Sequence, residues 1–281
     1  MKLKIIGSGG CVSIPRPCCQ CKVCTEAREK GFPYARTGCS LFIEEGKVLI
    51  DTPEDVGYAL NNANIDEVKY IMYSHKDPDH TMGMRIIEQL KINWLNISLG
   101  IKCDDPVKLV STPTVLEEVR KQATKYGSML DYYVSRGLVT LEAARNLQVD
   151  DVNIDMVPVD ESETVSIFII TQNDKKIIYA PCDVKPFPDN EKFADADILI
   201  IGDTIVGEVL KNGFILEKDN PLRNELFIMD EVMQIKEKYN IDQVVITHLE
   251  EDWGKSYDDY IELEKTYDHV SFAYDGMEIE I

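Results

Sequence analysis

Histidine is scarce in this chain, with four residues in 281, so each one weighs heavily in any functional reading. Basic residues are outnumbered: 30 Lys and Arg face 50 Asp and Glu, for a formal charge of −20. A field of that sign repels a polyanion, and the Lys and Arg form no stripe. Nucleic acid is therefore not expected as a general partner, while a small anionic substrate drawn to a local metal site remains compatible. Long apolar runs are lacking as well. The longest, such as Ile198-Leu199-Ile200-Ile201, are strand-sized and far short of the roughly 20 residues a membrane helix requires, so no membrane partner is expected. Met1 to Gly7 reads as a first strand rather than a signal peptide, which points to a cytoplasmic location. No Pro/Gly/Ser-rich linker and no internal repeat divides the sequence. A single domain over residues 1–281 is the expectation, with a homodimer as an allowed assembly.

Cysteine is present but uneven. Five of the eight lie at positions 11, 18, 19, 21 and 24, and in a cytosolic chain such a cluster favours metal over disulfide. The spacing Cys19-x-Cys21-x-x-Cys24 lets three thiolates converge on one tetrahedral ion, with the fourth ligand coming from elsewhere. The preceding Gly7-Ser8-Gly9-Gly10 lacks the dinucleotide fingerprint and has no helix signal directly after it, so it reads as a loop.

Half of the histidines fall in one run, Ser74-His75-Lys76-Asp77-Pro78-Asp79-His80, directly after the apolar segment Val68 to Tyr73. A strand end followed by a tight turn holds ligands at fixed positions, and imidazole with carboxylate suits zinc, manganese or iron. The run resembles the metallo-β-lactamase-fold signature His-x-His-x-Asp-His, with Asp77 in place of the second histidine. The cysteine motif, with its trailing Ala27-Arg28, resembles a branch of that family containing phosphonate-pathway cyclic phosphodiesterases and pyrroloquinoline-quinone biosynthesis B proteins. That resemblance implies an α/β fold, a four-layer αββα sandwich, with an N-terminal insertion at about residues 11–30 carrying a structural zinc.

Other segments match the family in order. Gly38 to Ile43 and Lys47 to Thr52 read as a hairpin turned at Glu45-Gly46, and Asp51 takes the place of the family's supporting aspartate. The spacing of Val56, Leu60 and Ala63 predicts a helix, another is expected from Thr81 to Leu90, and a third from Thr114, as cap, to Tyr126. Strands are predicted over Val107–Thr112, Asn153–Val159, Val165–Thr171, Lys176–Ala180, Ile198–Gly202 and Gln243–His248. An amphipathic helix is predicted over Leu226–Tyr239 and a closing strand over Val270–Ile279.

By resemblance, Asp183 after the Lys176–Ala180 strand bridges two metals, and Asp79, His80 and His248 hold one of them. The other would take His75, Asp77 and a residue near Val159-Asp160-Glu161-Ser162-Glu163, where the family has a histidine and this chain has none. Glu161 is the first candidate there, with Glu163 and Asp160 behind it. For the cysteine site, the family's fourth ligand maps to Glu251, with Cys18 as the substitute. Carboxylates in place of imidazoles shift preference from zinc towards manganese or iron.

One or two catalytic divalent metals would lower the pKa of a water and polarise an anionic oxygen. Asp79, Asp183 and His248 would carry catalysis, and Lys76 or Tyr73 would be the nearest candidates for a general acid. The leading expectation is a metal-dependent hydrolase, of the phosphodiesterase type, acting on a small phosphorylated substrate. The alternatives are an iron-dependent oxidase or hydroxylase in cofactor biosynthesis and a non-catalytic protein with a decayed site.

Overall fold

The structure, a computed structural model, describes residues 1–125 and 127–281. Its first half runs through β1 (Lys2–Gly7), β2 (Ser40–Ile43), β3 (Val48–Ile50), β4 (Tyr70–Met72), β5 (Val107–Ser111) and β6 (Val139–Ala143). The second runs through β7 (Asn146–Val149), β8 (Val152–Pro158), β9 (Ser166–Gln172), β10 (Lys175–Ala180), β11 (Ile198–Ile201), β12 (Gln243–Ile246) and β13 (Val270–Phe272). A last strand, β14 (Met277–Glu280), returns to the first half.

These strands make two seven-stranded sheets, ordered β14-β1-β2-β3-β4-β5-β6 and β13-β12-β11-β10-β9-β8-β7. Read from β14, the first sheet has three antiparallel pairings and then three parallel ones. Read from β7, the second repeats that pattern. The halves are related in shape with no repeat in sequence.

Alternation of side chains along buried strands sets the layers. Val48 and Ile50 face the inter-sheet core with Leu3, Leu41, Phe168, Ile170 and Ile177. Leu49 between them faces outward with Phe42 and Ile71, onto the helices Val56–Asn62, Ile86–Lys91 and Pro113–Arg120. On the other side Ile169, Ile178, Leu199 and Ile246 meet the helices Met229–Lys238 and Tyr257–Glu264. The result is helix, sheet, sheet, helix. Each fully buried aliphatic side chain contributes about 1.5–3 kcal/mol to holding it together.

Several sequence boundaries move. The helix expected from Thr114 starts at Pro113 and stops at Arg120, and its cap is Thr112, which accepts from Val115 N at 3.4 Å. Proline suits the first helical position because the amide it lacks would have had no partner there. The expected end at Tyr126 lies outside the described residues. Phe227–Ile228 is not helical: it pairs in parallel with Thr204–Ile205, so the helix begins at Met229. The segment after His80 also starts earlier, as a short helix Pro78–Thr81, passes through a tight turn at Met82–Arg85, and resumes at Ile86. The closing strand divides into β13 and β14, which lie in different sheets, because Asp275 between them is pinned by Ser8 and Thr37.

Candidate metal centres

The parallel strands deliver the site from their C-terminal ends. Beyond β3, Asp51 is fully buried and accepts from Ser74 N at 2.8 Å and Ser74 Oγ at 2.6 Å. Its Oδ2 also lies 2.9 Å from His80 Nδ1. A carboxylate there makes Nδ1 the protonated nitrogen of His80 and leaves the Nε2 lone pair facing the cleft. Ser74 Oγ, donating to Asp51, accepts from His75 Nδ1 at 2.9 Å. His75 Nε2 is then an acceptor too, and it is buried with no hydrogen-bond partner. One serine and one aspartate thus fix both imidazoles of the sequence run.

A third group, Cys182, Asp183 and Asp203, overlaps both of the two candidate ligand sets that contain histidine. In one, His80 Nε2, His248 Nε2 and Asp79 Oδ2 form a triangle whose three sides are each 3.4 Å. A tetrahedral ion with bonds of about 2.0–2.1 Å has ligand–ligand edges of about 3.3–3.4 Å, so the triangle has the dimensions of one face of a metal site. In the other, His75 Nε2 lies 3.9 Å from Asp77 Oδ2 and 4.0 Å from Asp183 Oδ2. This set is looser, and its donors are one nitrogen and two carboxylates. The unpartnered His75 nitrogen marks where a cation would be satisfied.

Backbone geometry supports these positions. Asp51, Asp183, Asp203 and His248 all have φ between 49° and 65°, each just past a strand end. Asp and His reach this left-handed region more readily than most residues, and its clustering here turns side chains back over the sheet ends. Gly202 makes the convergence possible: a Cβ there would stand 1.7 Å from Pro181 O and 2.8 Å from His248 Cβ. Gly83 does the same for the His80 turn, which approaches Thr52 and Pro53 closely enough that a Cβ would meet Pro53 O at 1.9 Å.

The electrostatics call for a cation. Burial pushes the Asp183 carboxyl up, and the like charges of Asp203 and Asp77 push it further. Burial disfavours a charge on His248, but Asp79, Asp203 and Glu250 outweigh it and push that imidazole up to about 9. Burial likewise raises Asp79, and the hydrogen bond and charge of His248, with His80, more than reverse it. A proton is one way to neutralise such a pocket, and a divalent ion on the same nitrogens is another.

About the cysteine motif, Sγ of Cys19, Cys21 and Cys24 and a carboxylate oxygen of Glu251 all lie within 4.8 Å of one another. Cys21 also caps the helix Lys22–Lys30 by accepting from Cys24 N. Cys18 is exposed, at φ 62°, and lies outside the group. Glu251 is fully buried and ion-paired to Lys211 at 2.6 Å and Arg16 at 3.1 Å. Three thiolates and a carboxylate around a divalent ion carry net charge −2, which these two cations balance. The donor set therefore fits zinc.

Among the described residues, Glu161 joins no group of convergent ligand atoms and is exposed. Glu163 pairs with Arg145 at 2.5 Å, and Asp160 accepts from Ser162. Neither candidate for a general acid reaches the cleft: Tyr73 is fully buried against Thr52 Oγ1 at 2.8 Å, and Lys76 pairs with Glu118. Tyr73 follows the alternation of β4 into the helix-facing core. Cys182, Asp203 and Glu250 went unread in the sequence; Glu250 stands 3.9 Å from His248 Nδ1. Cys182 joins the Asp79–His80–His248 set, and Asp203 lies 3.5 Å from His248 Nδ1. For these two the signal was position alone: Asp203 lies just past β11, which neighbours the strand of His248, and Cys182 lies just past β10, one strand further along the sheet.

The family profile described as "Beta-lactamase superfamily domain" matches residues 47–249. Among solved structures, a diphosphatase from the PhnP family aligns with TM-score 0.70 at 19% identity, covering 100% of this chain and 97% of its own. Zinc-bound PqqB from Methylobacterium extorquens aligns with TM-score 0.70 at 18% identity, over 100% of both chains. The metallo-beta-lactamase fold protein YhfI from Bacillus subtilis follows at 0.64 and 16%, covering 100% of this chain and 98% of its own. At these identities the likeness is one of fold. No curated protein sequence matches. With the profile matching residues 47–249, most of its length, the chain belongs to the beta-lactamase superfamily domain family.

Proposed function

We propose that the protein is a metal-dependent hydrolase of small phosphorylated substrates, of the phosphodiesterase type. The observation that carries this is the convergence of His75, Asp77 and Asp183 beside Asp79, His80 and His248 at the ends of the parallel strands. Two divalent ions held there would supply Lewis acidity and activate a water for attack at phosphorus. The chain's own work is to hold the ligands. Asp51 and Ser74 orient His80 and His75, while Asp203 and Glu250 face His248 Nδ1 at 3.5 and 3.9 Å and keep its Nε2 towards the cleft. Asp183 is the most exposed of these candidate ligands. Because the chain is strongly acidic, the ions must provide the attraction for an anionic phosphate. The Cys19–Cys21–Cys24–Glu251 group would hold a structural zinc.

The fold similarity to a diphosphatase is consistent with phosphoryl chemistry. A second reading draws on the Asp79, His80 and His248 set, since two imidazoles and one carboxylate also suit non-haem iron. An oxidase of that kind would consume oxygen. The test is release of nitrophenol from a nitrophenyl phosphodiester by purified protein, with and without chelator, beside His80→Ala. Chelator-sensitive release that the variant lacks is the expected result. No release, together with substrate-dependent oxygen uptake by iron-loaded protein, would replace it with the second reading.

A further inference from the structure

The short helix Trp94–Ser98, between the helix Ile86–Lys91 and β5, buries none of its residues. Its own ends hold it in shape. Asn93 Oδ1 accepts from Leu95 N and Asn96 N, both at 3.0 Å, and Gly100 at φ 71° closes it. What it presents to solvent is apolar: Trp94, Leu95, Leu99 and Ile101 are 66, 78, 74 and 50% exposed. Leu95 and Leu99 are four residues apart and so share one face. Beside them, Leu90, Ile97, Ile101 and Val134 contribute to the lining of a groove of about 620 Å³. A monomer seldom leaves so much contiguous apolar surface in water.

We propose that this face is the contact between two copies of the chain, related by a twofold axis. Two observations select a second copy. The first is charge. From Gln89 to Cys103 the sequence has Lys91 and Lys102 and no Asp or Glu, in a chain with 50 acidic residues and a formal charge of −20. Lys91 is itself paired with Asp105 at 2.8 Å. Like-charge repulsion opposes the meeting of two such chains and is weakest where the facing segments carry no acid. An anionic lipid surface, by contrast, is repelled by the charge of the whole chain. The second observation is size. The four outward side chains expose roughly 600 Å² per chain, so a symmetric pair covers about 1,200 Å², the lower end of specific protein interfaces. In a twofold contact each residue acts from both sides. The other exposed apolar segment, with Val209, Phe214, Ile215 and Leu222, fails the charge condition, because Glu217 and Asp219 stand among these residues.

Sedimentation of the full chain in the analytical ultracentrifuge, across a range of protein and salt concentrations, tests this. Wild type should sediment at twice the chain mass, and its dissociation constant should fall severalfold between about 50 and 500 mM salt, as chain-wide repulsion is screened. Leu95→Asp puts a carboxylate on both sides of the contact and should give a monomer. Its circular dichroism and thermal midpoint should match wild type, because the residue is exposed. Trp94→Ala should weaken association at least about tenfold, as loss of a central aromatic anchor does. Ile215→Asp, on the other apolar segment, should remain a dimer. A wild type that is monomeric throughout would overturn the proposal, whether or not it binds lipid vesicles. A dimer that Leu95→Asp and Trp94→Ala leave intact would overturn it too, because the copies would then meet through another face.

Discussion

Glu250 and Glu251, adjacent in the chain, face two different candidate centres. Glu250 accepts from Cys11 N at 2.7 Å and stands 3.9 Å from His248 Nδ1, while Glu251 turns the other way, to the cysteine group, Lys211 and Arg16. Four residues, His248 to Glu251, thus tie the N-terminal insertion to the cleft. Gly10 N donates to Leu249 O, and Leu249 N donates to Ser8 O, along the same segment. The two centres share a backbone but no ligand.

Separate ligands make the centres separable. Glu251→Gln keeps the shape of the side chain but removes the negative charge that balances Lys211 and Arg16. Its expected effect is loss of the zinc held by Cys19, Cys21 and Cys24, with the ions of the cleft retained. Metal content of the purified variant checks this. Retention of all ions would mean that Glu251 is only an ion-pair partner.

Asp51 should matter more to the metal than its distance from the substrate suggests. In Asp51→Asn one oxygen becomes an NH2 group, which only donates, so either Ser74 N or the pair Ser74 Oγ and His80 Nδ1 loses its acceptor. Affinity for the ion at His80 should fall roughly 10–100-fold, as for other residues that orient a metal-binding histidine. Competition with a chelator of known affinity measures it, and the cysteine-bound zinc serves as the internal control.

How far these centres could be read from the sequence depended on whether ligands lie close together along the chain. His75 to His80 and Cys19 to Cys24 are local, so their spacing carried the chemistry. Asp183 and His248 were chosen as single residues at strand ends, from the order of the family's elements. Cys182 has the same kind of position but is masked by the aspartate that follows it, and Asp203 by the apolar run before it. Glu161 was chosen to fill a gap in that order, and the turn at Asp160 and Ser162 leaves it exposed. In the fold, the apolar strands were legible because both faces are buried. The short β6, Val139–Ala143, has exposed and half-buried positions and showed no clear period. Division of the tail depended on Asp275, whose partners Ser8 and Thr37 lie at the other end of the chain.

Burial pushes the Asp275 carboxyl up to about 6, although Thr37 and Ser8 donate to it and Arg36 lies near. In the unfolded chain an Asp titrates near 3.9, so the folded state holds this proton more tightly. The group's contribution to stability is therefore full below about pH 3.9 and is lost as the pH rises through about 6. Asp275→Asn has no such titration. The stability of wild type relative to this variant should shrink by roughly 1–3 kcal/mol between pH 4 and pH 7. Urea midpoints of both proteins across that range provide the comparison, and a difference independent of pH would contradict it.

Elemental analysis of freshly purified wild type beside His80→Ala tests the two-centre reading most directly. The expected result is about one zinc per chain in both proteins, held by the cysteine group, with further ions in the wild type that the variant loses. Equal metal content in the two proteins would contradict it, because His80 would then hold no ion in the cleft.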